Sequence, residues 1–287
     1  MERRRPTAIA RVLLLLLPLA AACQTAPLEI PHVSTEPTID GDLSEWRNGA
    51  YSGGWWDIER LSQTSWYDPE RNRLTIHDGE KPGEIDLQAR YYAAWDETYL
   101  YLGAEARDNV NDVDDPAHED KRWYFKDCVC WFIEAPRDGR GEAFETGDNA
   151  LCFLIDESRP AYGAWWRHGE PGRDYVEEPL PPGTFDYAIT MDPWGRSAGD
   201  FVLEVRVRMD PIFGRSDPAW TGASEGQRLG LEIVHTDPDG GDYGGHFLVY
   251  GAGDSDDTWG EAVLVGPMPP TAARGAGSGA TEAGTAP

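Results

Sequence analysis

Twelve tryptophans and twelve tyrosines in a chain of 287 residues supply many flat aromatic faces. Trp123 stands four residues before Asp127, Trp259 directly precedes Gly260, and Trp165 and Trp166 are adjacent. Neighbours in a strand point to opposite faces, so one of the 165/166 pair is expected to turn outward. A Trp ring suits the apolar C–H face of a sugar, because it gives a large contact area at little cost in rotamer freedom. The same side chains also serve as ordinary packing. Asp108, Asn109, Asn111, Asp112, Asp114 and Asp115 follow a strand-like run directly, with Asp127 as a further acid near the next one. Such oxygen donors suit Ca²⁺, which takes six to eight oxygen ligands, although the spacing is not that of an EF-hand loop. In so acidic a chain a solvated loop has the same composition. Asp237, Asp239, Asp242 and the run from Asp254 to Asp257 read both ways as well.

Other chemistry finds little support. The six histidines (32, 77, 118, 168, 235 and 246) show no ligand spacing, and no His-Glu-x-x-His run occurs. With 51 acids, carboxylate pairs at glycosidase separation arise by accident. Met191, Met209 and Met268 offer no haem site, Met209 being turned inward by its strand. The formal charge of −26 excludes a nucleic-acid binder, since no basic face is available to neutralise phosphates.

Residues 1–22 read as an export signal. Arg3, Arg4, Arg5 and Arg11 precede the apolar run Val12 to Leu17, which is too short to span a bilayer, and Ala20, Ala21 and Ala22 lead to Cys23. Small residues before a Cys resemble the lipobox of bacterial lipoproteins, which implies a lipid on Cys23 and, with Gln24 next, an outer-membrane address. The alternative is an ordinary secretory signal. Loss of residues 1–22 removes four Arg and one Glu, taking the formal charge from −26 to −29. An exported compartment permits disulfides, and Cys128 and Cys130 share a strand face from which one bridge to Cys152 is open.

Residues 23–36 read as a tether, 37–266 as one domain and 267–287 as a disordered tail rich in Pro, Gly, Ala and Thr. The period inside the domain is two. Phe201 to Met209 places Leu203, Val205, Val207 and Met209 on one face, with Glu204, Arg206 and Arg208 on the other. Similar runs are 87–95, 99–107, 128–134, 150–155, 185–190, 229–234, 246–250 and 262–265, while Asp42 to Trp46 and Asp210 to Phe213 each suit a helical turn. This pattern predicts an all-β antiparallel β-sandwich, jelly-roll or immunoglobulin-like, with long loop insertions. Residues 51–86 break the rhythm and read as an insertion, and 171–182 as an unusual loop.

At Pro37 the sequence PTIDGDLSEW resembles the opening of family 9 carbohydrate-binding modules. AAWDETYLYLGAEARD (93–108), DCVCWFIEAP (127–136), FVLEVRVRM (201–209), LGLEIVHTDPDGG (229–241) and WGEAVLV (259–265) follow in that family's order. The strand after Asp127 departs from it, with Cys128 and Cys130 where Ser and Glu are usual, and the 51–86 insertion has no evident counterpart. The resemblance implies a saccharide end clamped between two tryptophans. Trp123 matches the first, in a loop expected to be exposed; Trp259 is nearest to the second, with Trp165 or Trp166 as substitutes. It also implies structural Ca²⁺, Asp108 matching the acid that closes its block and Asp112 and Asp127 being its expected neighbours. The expected function is non-catalytic binding of an oligo- or polysaccharide by an anchored lipoprotein that is linked to polysaccharide breakdown and supplies hydrolases or transporters. The alternatives are an assembly lipoprotein that holds a protein partner and an accessory module of a glycoside hydrolase system.

Overall fold

The computed structural model describes residues 27–47, 63–68, 73–78, 87–108, 111, 123, 126–139, 144–156, 163–237, 245–251, 253 and 255–267. Cys23, Asp112 and the tail from residue 268 lie outside them. The strands are β1 (Leu28–Pro31), β2 (Gln63–Asp68), β3 (Arg73–Asp78), β4 (Gln88–Trp95), β5 (Tyr99–Arg107), β6 (Cys128–Glu134) and β7 (Asp148–Leu154). They continue with β8 (Ala164–Glu170), β9 (Arg173–Pro179), β10 (Phe185–Met191), β11 (Phe201–Arg208), β12 (Arg228–Asp237), β13 (Gly245–Leu248) and β14 (Gly260–Val265). Among the described residues, two short helices, α1 (Ser44–Arg47) and α2 (Met209–Ser216), fall where helical turns are expected.

The strands form the expected sandwich. One sheet has ten strands, with the path β3-β2-β13-β12-β6-β7-β8-β9 and with β14 on β12 and β1 on β14; the other has four, in the order β10-β11-β5-β4. Alternation explains the layering. Phe201, Leu203, Val205 and Val207 of β11 meet Val129, Trp131 and Ile133 of β6, Leu151 and Phe153 of β7 and Trp166 of β8 in one buried core. Each such side chain contributes about 1.5–3 kcal/mol when fully buried. Strand β12 is long enough to be shared along one edge, Arg228–Leu231 pairing with β14 and Val234–Asp237 with β13. Glu232 fills the seam, its carboxylate accepting the N–H groups of Ile233, Val249, Tyr250 and Gly251.

Several expected boundaries need correction. Leu28–Pro31 belongs to the sheet, pairing in parallel with Ala262–Val265, so part of the 23–36 tether is a strand. Residues 63–68 and 73–78 of the expected insertion form a hairpin that extends the large sheet through β13. The 171–182 loop contains β9, paired with β8. Glu204, on the polar face of β11, is fully buried, because residues 33–46 cover the small sheet's outer side. Its carboxylate accepts the N–H groups of Asp40 and Gly41 and the indole N–H of Trp46. Gly41, at φ +80°, has no room for a Cβ, which would lie 2.7 Å from the Thr190 hydroxyl.

Candidate functional site

The outer face of the large sheet carries the site. Facing residues on antiparallel strands point to the same side, so side chains form rows across the sheet. One row runs Leu248, Val234, Cys130, Cys152, Trp165; the next runs Glu232, Phe132, Ala150, Arg167, Glu177. Trp123, Phe144 and Trp259 come from connecting segments and pack over these rows in a second apolar cluster, separate from the sandwich core. Phe132 is its hub, with ring centres 6.4 Å from Trp123 and 5.7 Å from both Phe144 and Trp259. Trp123 also stacks on His246 at 6.4 Å.

Arg167 projects among these aromatics. Its guanidinium carbon lies 5.1 Å from the Phe144 ring centre, 5.4 Å from Tyr175 and 5.8 Å from Trp123, within reach of a cation–π attraction. Arg167 also donates from Nη2 to Glu177 at 3.0 Å. Burial works against its charge, but Glu177 outweighs that and keeps the guanidinium protonated. Phe144 holds its place in the left-handed backbone region, at φ 64°, a conformation costing a bulky residue about 1–3 kcal/mol. Close backbone approach fixes the loop: at Gly169 a Cβ would fall 1.6 Å from the Glu145 carbonyl oxygen. The Trp165 indole N–H and the Arg167 Nε–H are buried here without an acceptor. An unmet buried donor costs about 1–3 kcal/mol, so both positions favour a ligand rich in oxygen acceptors.

The structure brings three of the four expected tryptophans together. Trp123, Trp165 and Trp259 share this face, but they are only 4%, 9% and 3% exposed, so the expected exposure of Trp123 is corrected. These rings wall the site rather than offering an open platform. Trp166 does not belong to it: the pleat turns it into the sandwich core, where it is fully buried and donates to Asn149 Oδ1 at 3.0 Å. Among the described residues of this face, the exposed ring is Tyr175, at 55%. Neither it nor Arg167 figures in the sequence reading, though Arg167 has the outward parity of Trp165 and Tyr175 lies two residues from Glu177.

The three thiols are buried and free. Cys130 lies opposite Cys152, and Cys128 Sγ approaches Cys130 Sγ to 3.5 Å. Burial pushes the Cys128 and Cys130 thiols well up. Burial opposes ionisation of Cys152 too, but contacts with the other two thiols and Arg167 pull it down.

Asp108 and Asp127 do come together, at the ends of β5 and the start of β6, and Asp237 from the end of β12 completes the group. All three are buried, and one carboxylate oxygen from each lies within 4.8 Å of the others. An all-oxygen set of this kind fits Ca²⁺. Asp237 is 110 residues from Asp127 in sequence, and only the pairing of β12 with β6 brings them side by side.

A two-sheet sandwich whose larger sheet carries a loop-walled aromatic site has the form of a β-sandwich binding module. The chain matches the model of the family described as carbohydrate family 9 binding domain-like over residues 63–268, and it belongs to that family. The match includes β2 and β3, so this part of the 51–86 segment is integral to the domain. Among solved structures, it is similar to a family 9 carbohydrate-binding module from Caldicellulosiruptor kristjanssonii, solved with cellotriose and with glucose. With the cellotriose complex the identity is 14% and the TM-score 0.53, covering 84% of this chain and 95% of the other. The glucose complex gives 14% and 0.54, covering 84% and 97%. A protein from Bacteroides uniformis ATCC 8492 is similar at 11% identity and TM-score 0.53, covering 83% and 98%. No curated protein matches the chain.

Proposed function

We propose that the chain binds a saccharide, without transforming it, on the outer face of the large sheet around Arg167. The observation that carries this reading is the enclosure of Arg167 by Trp123, Phe144 and Tyr175, with Glu177 on its guanidinium and two buried N–H groups awaiting acceptors. Aromatic faces meet sugar C–H groups, while a planar cation and carboxylate meet adjacent hydroxyls. Family membership and the similar module's complexes with cellotriose and glucose support a neutral glucan. The charge supports it too, since a domain near −29 repels anionic polymers. A glycan array of the domain, with and without calcium, tests the reading. Signal on neutral saccharides is expected, and silence on all of them would favour a protein partner.

The same reading gives the chain an export signal and a lipid on Cys23 that holds it at a membrane surface, the outer membrane in a cell with two. Labelling with a palmitate analogue should mark wild type and not Cys23→Ser. It also assigns a structural Ca²⁺ to Asp108, Asp127 and Asp237, where the ion would tie the end of the small-sheet strand β5 to the large sheet. The donor set supports this: three buried carboxylates in mutual reach repel one another without a cation.

A further inference from the structure

A second acidic triad stands at the other end of the β6–β7 pair. Glu134 closes β6, Asp148 opens β7 directly opposite it, and Asp256 comes from the 3-10 turn before Trp259. Their exposures are 1%, 0% and 0%, and one oxygen from each lies within 4.8 Å of the others. Seven residues of extended chain, about 23 Å at 3.3 Å each, separate Glu134 from Asp127. The two triads are therefore separate places.

The surroundings hold the triad in place. Arg137 donates to Glu134 and, at 2.8 Å, to the Asp256 carbonyl, and the N–H groups of Asp138 and Gly139 also reach Glu134. Room for this comes from Gly230 on β12, where a Cβ would lie 2.8 Å from both Arg137 Nη1 and Glu134 Oε2. Asp148 accepts the Glu145 N–H through Oδ2, but its Oδ1, wholly out of solvent, meets no donor. A buried carboxylate oxygen left so is costly unless a cation takes it.

The geometry points to a divalent, oxygen-preferring cation bound by Glu134, Asp148 and Asp256. Oxygen-only donors select a hard ion such as Ca²⁺, with water completing six to eight ligands. The ion fastens the β6–β7 connection, which carries Phe144, to the turn that carries Trp259, and so fixes two walls of the saccharide site from behind. This holds whether or not the Asp108 triad binds an ion.

Calorimetric titration of the EDTA-stripped full-length protein with calcium alone tests it, using wild type, Asp127→Asn, Asp148→Asn and the double variant, each checked for folding by circular dichroism. Asp148→Asn should lose one calcium equivalent relative to wild type, and the double variant one relative to Asp127→Asn. Should Asp148→Asn fail to fold, Glu134→Gln carries the same comparison. Equal stoichiometry with and without the change at this triad overturns the proposal, as does a wild type that takes up no calcium. An effect of Asp127→Asn alone speaks only to the other triad.

Discussion

Tyr175 lies over Arg167, its ring centre 5.4 Å from the guanidinium carbon, and is itself 55% exposed. A half-buried cation is thus capped by a ring that a ligand can reach. Trp123 and Phe144 complete the enclosure from the protein side. Truncation should therefore leave folding intact at Tyr175 and disturb it at Trp123.

Trp123→Ala removes a ring that contacts Phe132 and His246 in a buried cluster. It should cost about 3–5 kcal/mol of stability in addition to any ligand affinity. Urea unfolding monitored by circular dichroism reads this directly; a loss under about 1 kcal/mol would mean that the ring is not packed as described.

Arg167→Lys keeps the charge but loses the planar fork that meets Glu177 and the flat cation beneath the rings. Saccharide affinity should fall by about 1–3 kcal/mol, 5- to 150-fold, since the two side chains are not equivalent at a stacked, hydrogen-bonded site. Titration at constant ionic strength checks it, and unchanged affinity would remove Arg167 from the site.

Calcium at the Asp108, Asp127 and Asp237 triad should raise stability by about 2.7 kcal/mol when the free ion is 100 times its dissociation constant. Melting in EDTA and in millimolar calcium should differ for wild type, and the shift should shrink in Asp127→Asn. Equal midpoints for wild type would leave these acids without an ion.

Burial raises Glu232 from 4.5 to about 7, against the pull of the N–H groups that it accepts. Its folded value lies above its unfolded one, so its contribution is complete below pH 4.5 and is lost as pH rises through 7. Stability of Glu232→Gln should therefore vary less than that of wild type across this window, where one group changes the slope by up to about 1.4 kcal/mol per pH unit. The amide also turns a donor toward backbone N–H groups, so the variant should be less stable at every pH. Parallel pH profiles for the two proteins would contradict this.

The sandwich was legible because alternation in β5, β6 and β11 puts Leu102, Trp131 and Val205 on faces that have to meet. Glu204 obeyed the same alternation and is buried nonetheless, since nothing local in β11 announces that residues 33–46 will cover it. Asp108 and Asp127 could be paired through the resemblance, whereas Asp237 joins them through strand pairing alone. In β8 an unbroken apolar Ala164-Trp165-Trp166 masks the alternation, so nothing local marks Arg167 or its partner strand β9. Trp165 and Trp166 do split between faces as adjacency demands, but loops that cover the outer face decide how much of Trp165 remains open.

Titration calorimetry of wild type and Tyr175→Ala with glucose and cellotriose tests directly whether a saccharide meets Tyr175 and Arg167. Wild type should bind with a dissociation constant between about 1 µM and 1 mM, roughly −8 to −4 kcal/mol. Tyr175→Ala should lose about 1–3 kcal/mol, by analogy with aromatic stacking on nucleobases, while its stability changes by no more than about 0.5 kcal/mol, as expected for an exposed side chain. No detectable binding by wild type, or equal binding by a folded Tyr175→Ala, would contradict the account.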